Sequence, residues 1–339
     1  MSAASVVIGL SAIVFAMQGE DLAVLTVRPE DARTHTASTL RGLPSGSFDP
    51  ADHRTFELAL RAFVTAQTGF ELGYVEQLYT FGDQGRDAPL PDLGAEAIGG
   101  ERVVSVGYLA LTPRAVDTPA PHTRWAPWSQ FFPWEDWREG RPSVIDSHLL
   151  PALENWAQRT REGGVERAEA RLSRARVLFA GDGHRWNEER VLDRYELLYE
   201  AGLAAEAGRD RARAAGTDAP EPGGYDAATG RPMVSDHRRI LATGLGRLRG
   251  KLKYRPVVFE LLGPEFTLSA LQRTVEAVAG LMLHKQNFRR AVERTALVEG
   301  LGQLDADTGG RPAELFRFRR ELLAVRPVSG LAVPGIRDA

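Results

Sequence analysis

The sequence predicts an α+β fold, on three observations. In residues 1–113 short β-like apolar runs surround one amphipathic helix, residues 114–234 are Trp-rich and then Glu/Arg/Ala-rich and helical, and residues 235–325 carry helical segments followed by two strand-like runs, before a tail at 326–339. With 339 residues, 43% of them hydrophobic, the chain is long enough to bury cores in two or three domains.

The apolar runs at 6–17 (VVIGLSAIVFAM) and 22–27 (LAVLTV) flank Gly19-Glu20-Asp21, the pattern of a β-hairpin. The first run has no Lys or Arg before it, falls short of the roughly 20 residues of a spanning helix and shows no small-x-small cleavage site. A buried strand in a cytoplasmic protein without a membrane segment is therefore expected. Over 55–68, Phe56, Leu60, Phe63, Val64 and Gln67 fall at helical spacing, and Thr68-Gly69 closes the helix with a glycine cap. Strand-like runs at 75–81 and 103–111 complete a mixed α/β domain.

Five of the six tryptophans lie between Trp125 and Trp156. Trp125, Trp128, Phe131, Phe132, Trp134 and Trp137 are expected to form a core with a dimer contact, the alternative being a lid over a ligand. Charges of both signs over 149–215 predict helices with a solvated face, and the Pro/Gly-rich stretch 217–232 a linker or loop.

A helix is predicted from Ser235, its N-cap, with Ile240, Leu241, Leu245, Leu248 and Leu252 as the buried stripe; running to Tyr254, it is the expected lever between the two halves. VVFELLG, LSALQRTVEAVAG and KQNFRRAVERTAL then read as three short helices, and the runs 297–304 and 313–318, joined by a turn at 305–312, as a hairpin. Three helices and a basic hairpin are the winged-helix order. Lys285, Gln286, Asn287, Arg289 and Arg290 cluster at the start of the last helix, where polar side chains reach base edges in a major groove, while Phe288, Val292 and Leu297 anchor it. Thr267 and Ser269 begin the preceding helix, whose N–H groups suit a phosphate, and Gln272 of that helix is counted with them. Arg311 in the Gly-Gly-Arg-Pro turn suits a wing entering the minor groove. The alternative is a solvated basic helix and a wing that contacts protein. One module offers little surface, so a homodimer on a double-stranded DNA operator with two half-sites is expected.

Charge agrees with that division. The net charge is −3, but residues 238–325 hold 16 Lys and Arg against 9 Asp and Glu, leaving 26 against 36 elsewhere. Zero cysteines exclude disulfides, thiolate metal sites and a cysteine nucleophile. His122, His148, His184, His237 and His284 show no ligand spacing, so neither metal nor cofactor is expected.

LPSGSF (43–48), a helix ending in TGF (68–70), VEQLYTFGDQGRD (75–87) and RVVSVGYLAL (102–111) together resemble the Nudix fold, an α/β/α sandwich. Joined to FTLSALQ, KQNFRR and GRPAELFRF, they resemble the Nudix-related NrtR-type transcriptional regulators of NAD metabolism. The resemblance covers about 1–113 and 235–322; the middle segment looks like the insertion of an alphaproteobacterial "NAD regulator" subgroup. It implies a repressor of NAD metabolism genes whose Nudix-like domain senses ADP-ribose or a relative.

A Nudix hydrolase uses G-x5-E-x7-R-E-U-x-E-E-x-G-U, with U apolar, because glutamates on one helix hold the Mg²⁺ that polarises a pyrophosphate. Aligned to end at Phe70, the box places Arg54, Phe63, Ala66 and Gln67 where those glutamates belong and Ala62 at its arginine; only Val64, Gly69 and Phe70 match. A gap at the front recovers Gly46, Asp52 and Arg61 but not the Glu pair, which Glu57 and Glu71 do not restore. A nucleotide-binding domain without catalysis is expected; the alternative is an active ADP-ribose or nucleotide pyrophosphohydrolase with a fused winged helix. For the effector, Arg86 and Arg102 are candidates to pair with a diphosphate, and Tyr79, Phe81 and Tyr108 either stack on adenine or are core residues.

Overall fold

The structure, a computed structural model, describes residues 6–28, 40–83, 86, 102–116, 120–159, 164–217, 226–305 and 312–322. Its larger sheet is built from β1 (Val6–Gln18), β2 (Asp21–Val27), β3 (Ser45–Ser47), β4 (Tyr74–Phe81), β5 (Arg102–Thr112) and β6 (Thr123–Pro127). The order is β4-β5-β1-β2-β6, with β3 also paired to β1. β1 and β5 run parallel and the other pairs antiparallel.

Because side chains alternate across a strand, the central strands supply both faces. Ile13 and Phe15 of β1, Leu22 and Val24 of β2 and Leu109 and Leu111 of β5 enter one apolar cluster, while Leu10, Ala12, Val14, Ala23, Leu25, Val106 and Ala110 enter the other. The second face is covered by α1 (Phe56–Thr68) through Ala59, Leu60 and Val64. The first is covered by α6 (His237–Tyr254) through Ile240, Leu241, Leu245 and Leu248. This is the sandwich implied by the resemblance.

Two expectations are corrected here. The sandwich does not end at residue 113: β6 extends the sheet beyond β2, because Trp125 and Ala126 each bury one face of the added strand. Nor does α6 only join the two halves, since its buried stripe makes it the second helical layer of the sandwich, and it starts after Asp236 while Ser235, the expected N-cap, takes φ +46. The insertion contributes α2 (Leu150–Arg159), α3 (Gly164–Leu178), α4 (Val191–Glu200) and α5 (Ala205–Ala214). Trp128, Phe131, Phe132 and Trp134 are fully buried in the first cluster, so they are core and not a lid.

Residues after α6 form a second layer set. VVFELLG is not an α-helix: after Pro256 the segment Val257–Leu261 makes only a 3₁₀ turn, stopped by Gly263-Pro264. β7 (Glu265–Thr267), unforeseen in the sequence, leads into α7 (Leu268–Ala279) and α8 (Lys285–Thr295), and then β8 (Val298–Asp305) and β9 (Ala313–Phe318) follow. The small sheet has the order β7-β9-β8, and Phe259 stacks on Phe318 at 4.1 Å to tie the 3₁₀ turn to it.

Candidate functional site

α7 begins at Thr267, whose Oγ1 accepts from Ala270 N–H at 3.1 Å, and ends at Gly280 in the left-handed region, whose N–H donates to Glu276 O. Thr267 is buried and holds the helix start, and Ser269 is half-buried beside it. Gln272 does not project toward a ligand. Its Nε2 donates to Glu276 Oε1 and to Leu283 O, both at 2.9 Å, and Leu283 N–H donates to the same carboxylate, so Gln272 and Glu276 fix the turn into α8.

On α8, Phe288, Ala291 and Val292 are buried, one apolar stripe at i, i+3, i+4. The opposite face therefore turns out Lys285, Gln286, Asn287, Arg289 and Arg290, all exposed. Among the described residues, Lys285, Arg289 and Arg290 have no carboxylate within ion-pair distance. Glu293 and Arg294, which the sequence reading passed over, join Asn287 and Arg290 along an open groove of about 560 Å³. The i, i+3, i+7 spacing was the available signal. The cations of the wing differ: Arg317 and Arg319 meet Glu299, and Arg320 meets Glu260. Arg311 lies outside the described residues. Arg238, Arg249 and Lys251 are buried against carboxylates, so the positive charge of the C-terminal part concentrates outward on α8.

The last carbonyls of α7 are satisfied from the other half of the molecule. Trp128 Nε1 donates to Ala277 O at 3.0 Å, Arg249 Nε to Val278 O at 3.0 Å and Trp137 N–H to Gly280 O at 2.7 Å. Helix α6 and the Trp-rich segment thus grip the helix that positions α8.

In the sandwich, α1 carries the segment aligned with the Nudix box. Thr55 Oγ1 accepts from Leu58 N–H, and Gly69 closes the helix at φ +68. Gln67 Nε2 donates to Ser45 O at 2.6 Å and its Oε1 accepts from Ser45 N–H at 3.2 Å. Phe63 covers Gly46, where an added Cβ would come within 3.0 Å of the ring. Ala66 is exposed and Glu57 pairs with Arg61. The positions aligned with the last three glutamates of the box hold an aromatic ring, a methyl group and an amide bonded to backbone, a donor set that does not fit Mg²⁺.

The four candidate effector residues whose side chains are described, Arg86, Tyr79, Phe81 and Tyr108, do not converge. Phe81 is buried on the α6 face and Tyr108 on the α1 face, so the sheet lies between them, and they are core residues. Tyr79 is exposed, its ring in an edge-to-face contact with Phe81 at 5.2 Å. Arg86 makes a bidentate pair with Glu196 of α4 at 2.8 and 2.9 Å and lies 3.7 Å over the Tyr199 ring. Burial alone would lower the Arg86 pKa, but the bond to Glu196 outweighs it and raises it. The side chain of Arg102 lies outside the described residues.

Residues 258–318 match the family described as the NrtR DNA-binding winged helix domain. Over 86 residues, 25% of this chain, it is 37% identical to the "ADPR responsive transcriptional repressor NtrR" of Acinetobacter baylyi, and the match spans 34% of that protein's length. The fold resembles that of Shewanella oneidensis NrtR complexed with a 27mer DNA, with 19% identity, 92% of this chain and 93% of that one covered and a TM-score of 0.50. A MutT/nudix family protein from Enterococcus faecalis gives 14% identity, 94% and 88% coverage and a TM-score of 0.51. Among the described residues no helix is long and apolar enough to cross a membrane. Residues 258–318 therefore match the NrtR DNA-binding winged helix family, and they follow a sandwich whose fold resembles that of the Shewanella oneidensis NrtR and Enterococcus faecalis MutT/nudix structures.

Proposed function

We propose that this protein is a cytoplasmic, homodimeric transcriptional repressor of NAD metabolism genes that binds an operator through α8 and senses ADP-ribose or a related nucleotide through a catalytically inactive Nudix-like domain. One observation carries the reading: Lys285, Arg289 and Arg290 stand exposed on α8, without a carboxylate within ion-pair distance among the described residues, on a helix anchored by Phe288 and Val292. Gln286 and Asn287 beside them suit adenine edges, Arg289 and Arg290 guanine edges, and Lys285 with the start of α7 the phosphates. The Acinetobacter relative's description as an ADPR-responsive repressor supports the effector class and the sign.

Catalytic silence is supported by the same box geometry: Phe63, Ala66 and Gln67 leave no Glu pair on α1. For an effector to act, it must bind the DNA-competent and incompetent forms with different affinity, since equal affinity shifts nothing. The test has two arms. Selection from a random duplex library should yield a palindromic site bound in the nanomolar range, and calorimetric titration with ADP-ribose, with and without Mg²⁺, should show binding with the ligand recovered intact. Recovery of AMP and ribose phosphate makes the protein a pyrophosphohydrolase, and no selected duplex removes the regulator reading.

A further inference from the structure

We propose that Arg28, Arg41, Arg124 and Arg231 form a binding site for the diphosphate group of a small molecule, at the end of the sheet remote from the winged helix. This assignment deepens the sensor reading and rests on it. Backbone pairing brings the four arginines to one corner. Thr26 of β2 is paired with Arg124 of β6, and Arg28 N–H donates to His122 O at 2.9 Å. Val27 and Gly42 exchange backbone hydrogen bonds of 2.9 and 2.8 Å, and Arg41 bridges in parallel to Met233, which brings the chain of Arg231 alongside.

Arg41 is built into place. Its Nε donates to Thr26 Oγ1 at 2.7 Å, and one terminal nitrogen donates to Thr26 O at 2.9 Å and His122 O at 3.0 Å. All three acceptors are neutral. Elsewhere the half-buried or buried arginines Arg86, Arg138, Arg194 and Arg249 each face a carboxylate. Among the described residues no Asp or Glu lies within ion-pair distance of Arg28, Arg41 or Arg124. Burial, then the charges of Arg28, Arg124 and Arg231, pull Arg41 down to about 10. Like charges held together on a fixed frame raise the local potential for an anion, and guanidinium forks match phosphate oxygens two at a time.

Position favours a small molecule over DNA. The winged helix meets the other end of β2, where Arg273 of α7 faces Glu20 at 3.5 Å. The intervening strand, at roughly 3.3 Å per residue, separates the two ends by over 20 Å. Arg41 is also two residues from Leu43, whose N–H donates to His237 Nδ1 at the start of α6, the helix whose Arg249 grips α7.

The experiment titrates the full-length protein with inorganic pyrophosphate and with ADP-ribose by calorimetry, using wild type, Arg28→Ala, Arg124→Ala and the double variant. Both side chains are exposed, so folding is expected to survive, and the melting temperature checks it. Each single variant should weaken both ligands at least tenfold at low salt, with Arg124→Lys recovering part of the loss. If wild type binds ADP-ribose and the folded double variant binds it equally well, the sensor stands and this site is overturned. If pyrophosphate binds with the same arginine dependence but ADP-ribose does not, the site stands and the nucleotide sensor falls. Loss of duplex affinity in the double variant with pyrophosphate binding unchanged assigns the cluster to DNA and overturns the proposal.

Discussion

Arg249 Nη1 donates to Glu135 Oε2 at 2.6 Å, with both side chains fully buried. Arg194 of α4 holds the same carboxylate at 2.5 and 2.9 Å, and Arg249 Nη1 also donates to Glu188 O. Burial lowers the pKa of Arg249, and the carboxylate of Glu135 opposes that. The sandwich and the insertion therefore share one buried ionic group, which Arg249 Nε ties to the winged helix through Val278 O of α7. Arg249→Met should leave Glu135 half-compensated and lower the unfolding free energy by about 3–5 kcal/mol. Urea unfolding measures it, and a loss under about 1 kcal/mol would mean that the group does not hold the halves together.

Gly280 takes φ +68, and a Cβ there would sit 2.6 Å from Glu135 O. Gly280→Ala adds that backbone clash to the roughly 1–2 kcal/mol cost of the left-handed conformation, so a drop of about 2 kcal/mol or more is expected in thermal unfolding. A neutral result would show that the junction between α7 and the Trp-rich segment yields easily.

Arg289→Ala and Arg290→Ala should each weaken binding to the selected duplex by about 1–3 kcal/mol without changing the melting temperature. Lys285→Ala should instead weaken all duplexes alike and flatten the salt slope by about 1. Fluorescence anisotropy at several salt concentrations separates the two behaviours, and unchanged affinity for both arginine variants at moderate salt counts against α8 as the reading helix.

Gln67→Glu places a carboxylate at a position aligned with the box but removes the donor to Ser45 O. We expect a loss of about 1–2 kcal/mol and no protection by Mg²⁺. Stabilisation by Mg²⁺ in a thermal melt would show that the cleft still accepts a cation.

His237 is buried and accepts from Leu43 N–H at 2.9 Å. Burial, with Arg209 nearby, lowers its pKa from 6.5 to about 4. Between those values the unfolded chain binds the extra proton, so stability is full above pH 6.5 and falls toward pH 4 by up to about 1.4 kcal/mol per pH unit. In His237→Asn the pH slope of urea unfolding should be shallower by one proton; equal slopes would place the effect on carboxylates.

Much of the fold was legible because its signals are local. The hairpin turn at Gly19, the cap Gly69 and the stripes of α6 and α8 each follow from residues within a turn or two of one another. The unreadable parts were β6, β7 and the 3₁₀ turn at 257–261, which are five residues or fewer and owe their form to partners far along the chain.

By itself the sequence determined the helices α1, α6, α7 and α8, the stripe that turns Lys285, Arg289 and Arg290 outward, and the absence of Glu at Ala66 and Gln67, since each rests on spacing along one helix. Only the tertiary structure decided that Phe81 and Tyr108 lie on opposite faces, that Gln272 serves the turn, that Glu135 joins Arg194 to Arg249, and that Arg28, Arg41 and Arg124 share a corner. Those relationships depend on which strands become neighbours and which charges are buried together, and residue 135 reaches residue 249 across 114 positions that no local period connects.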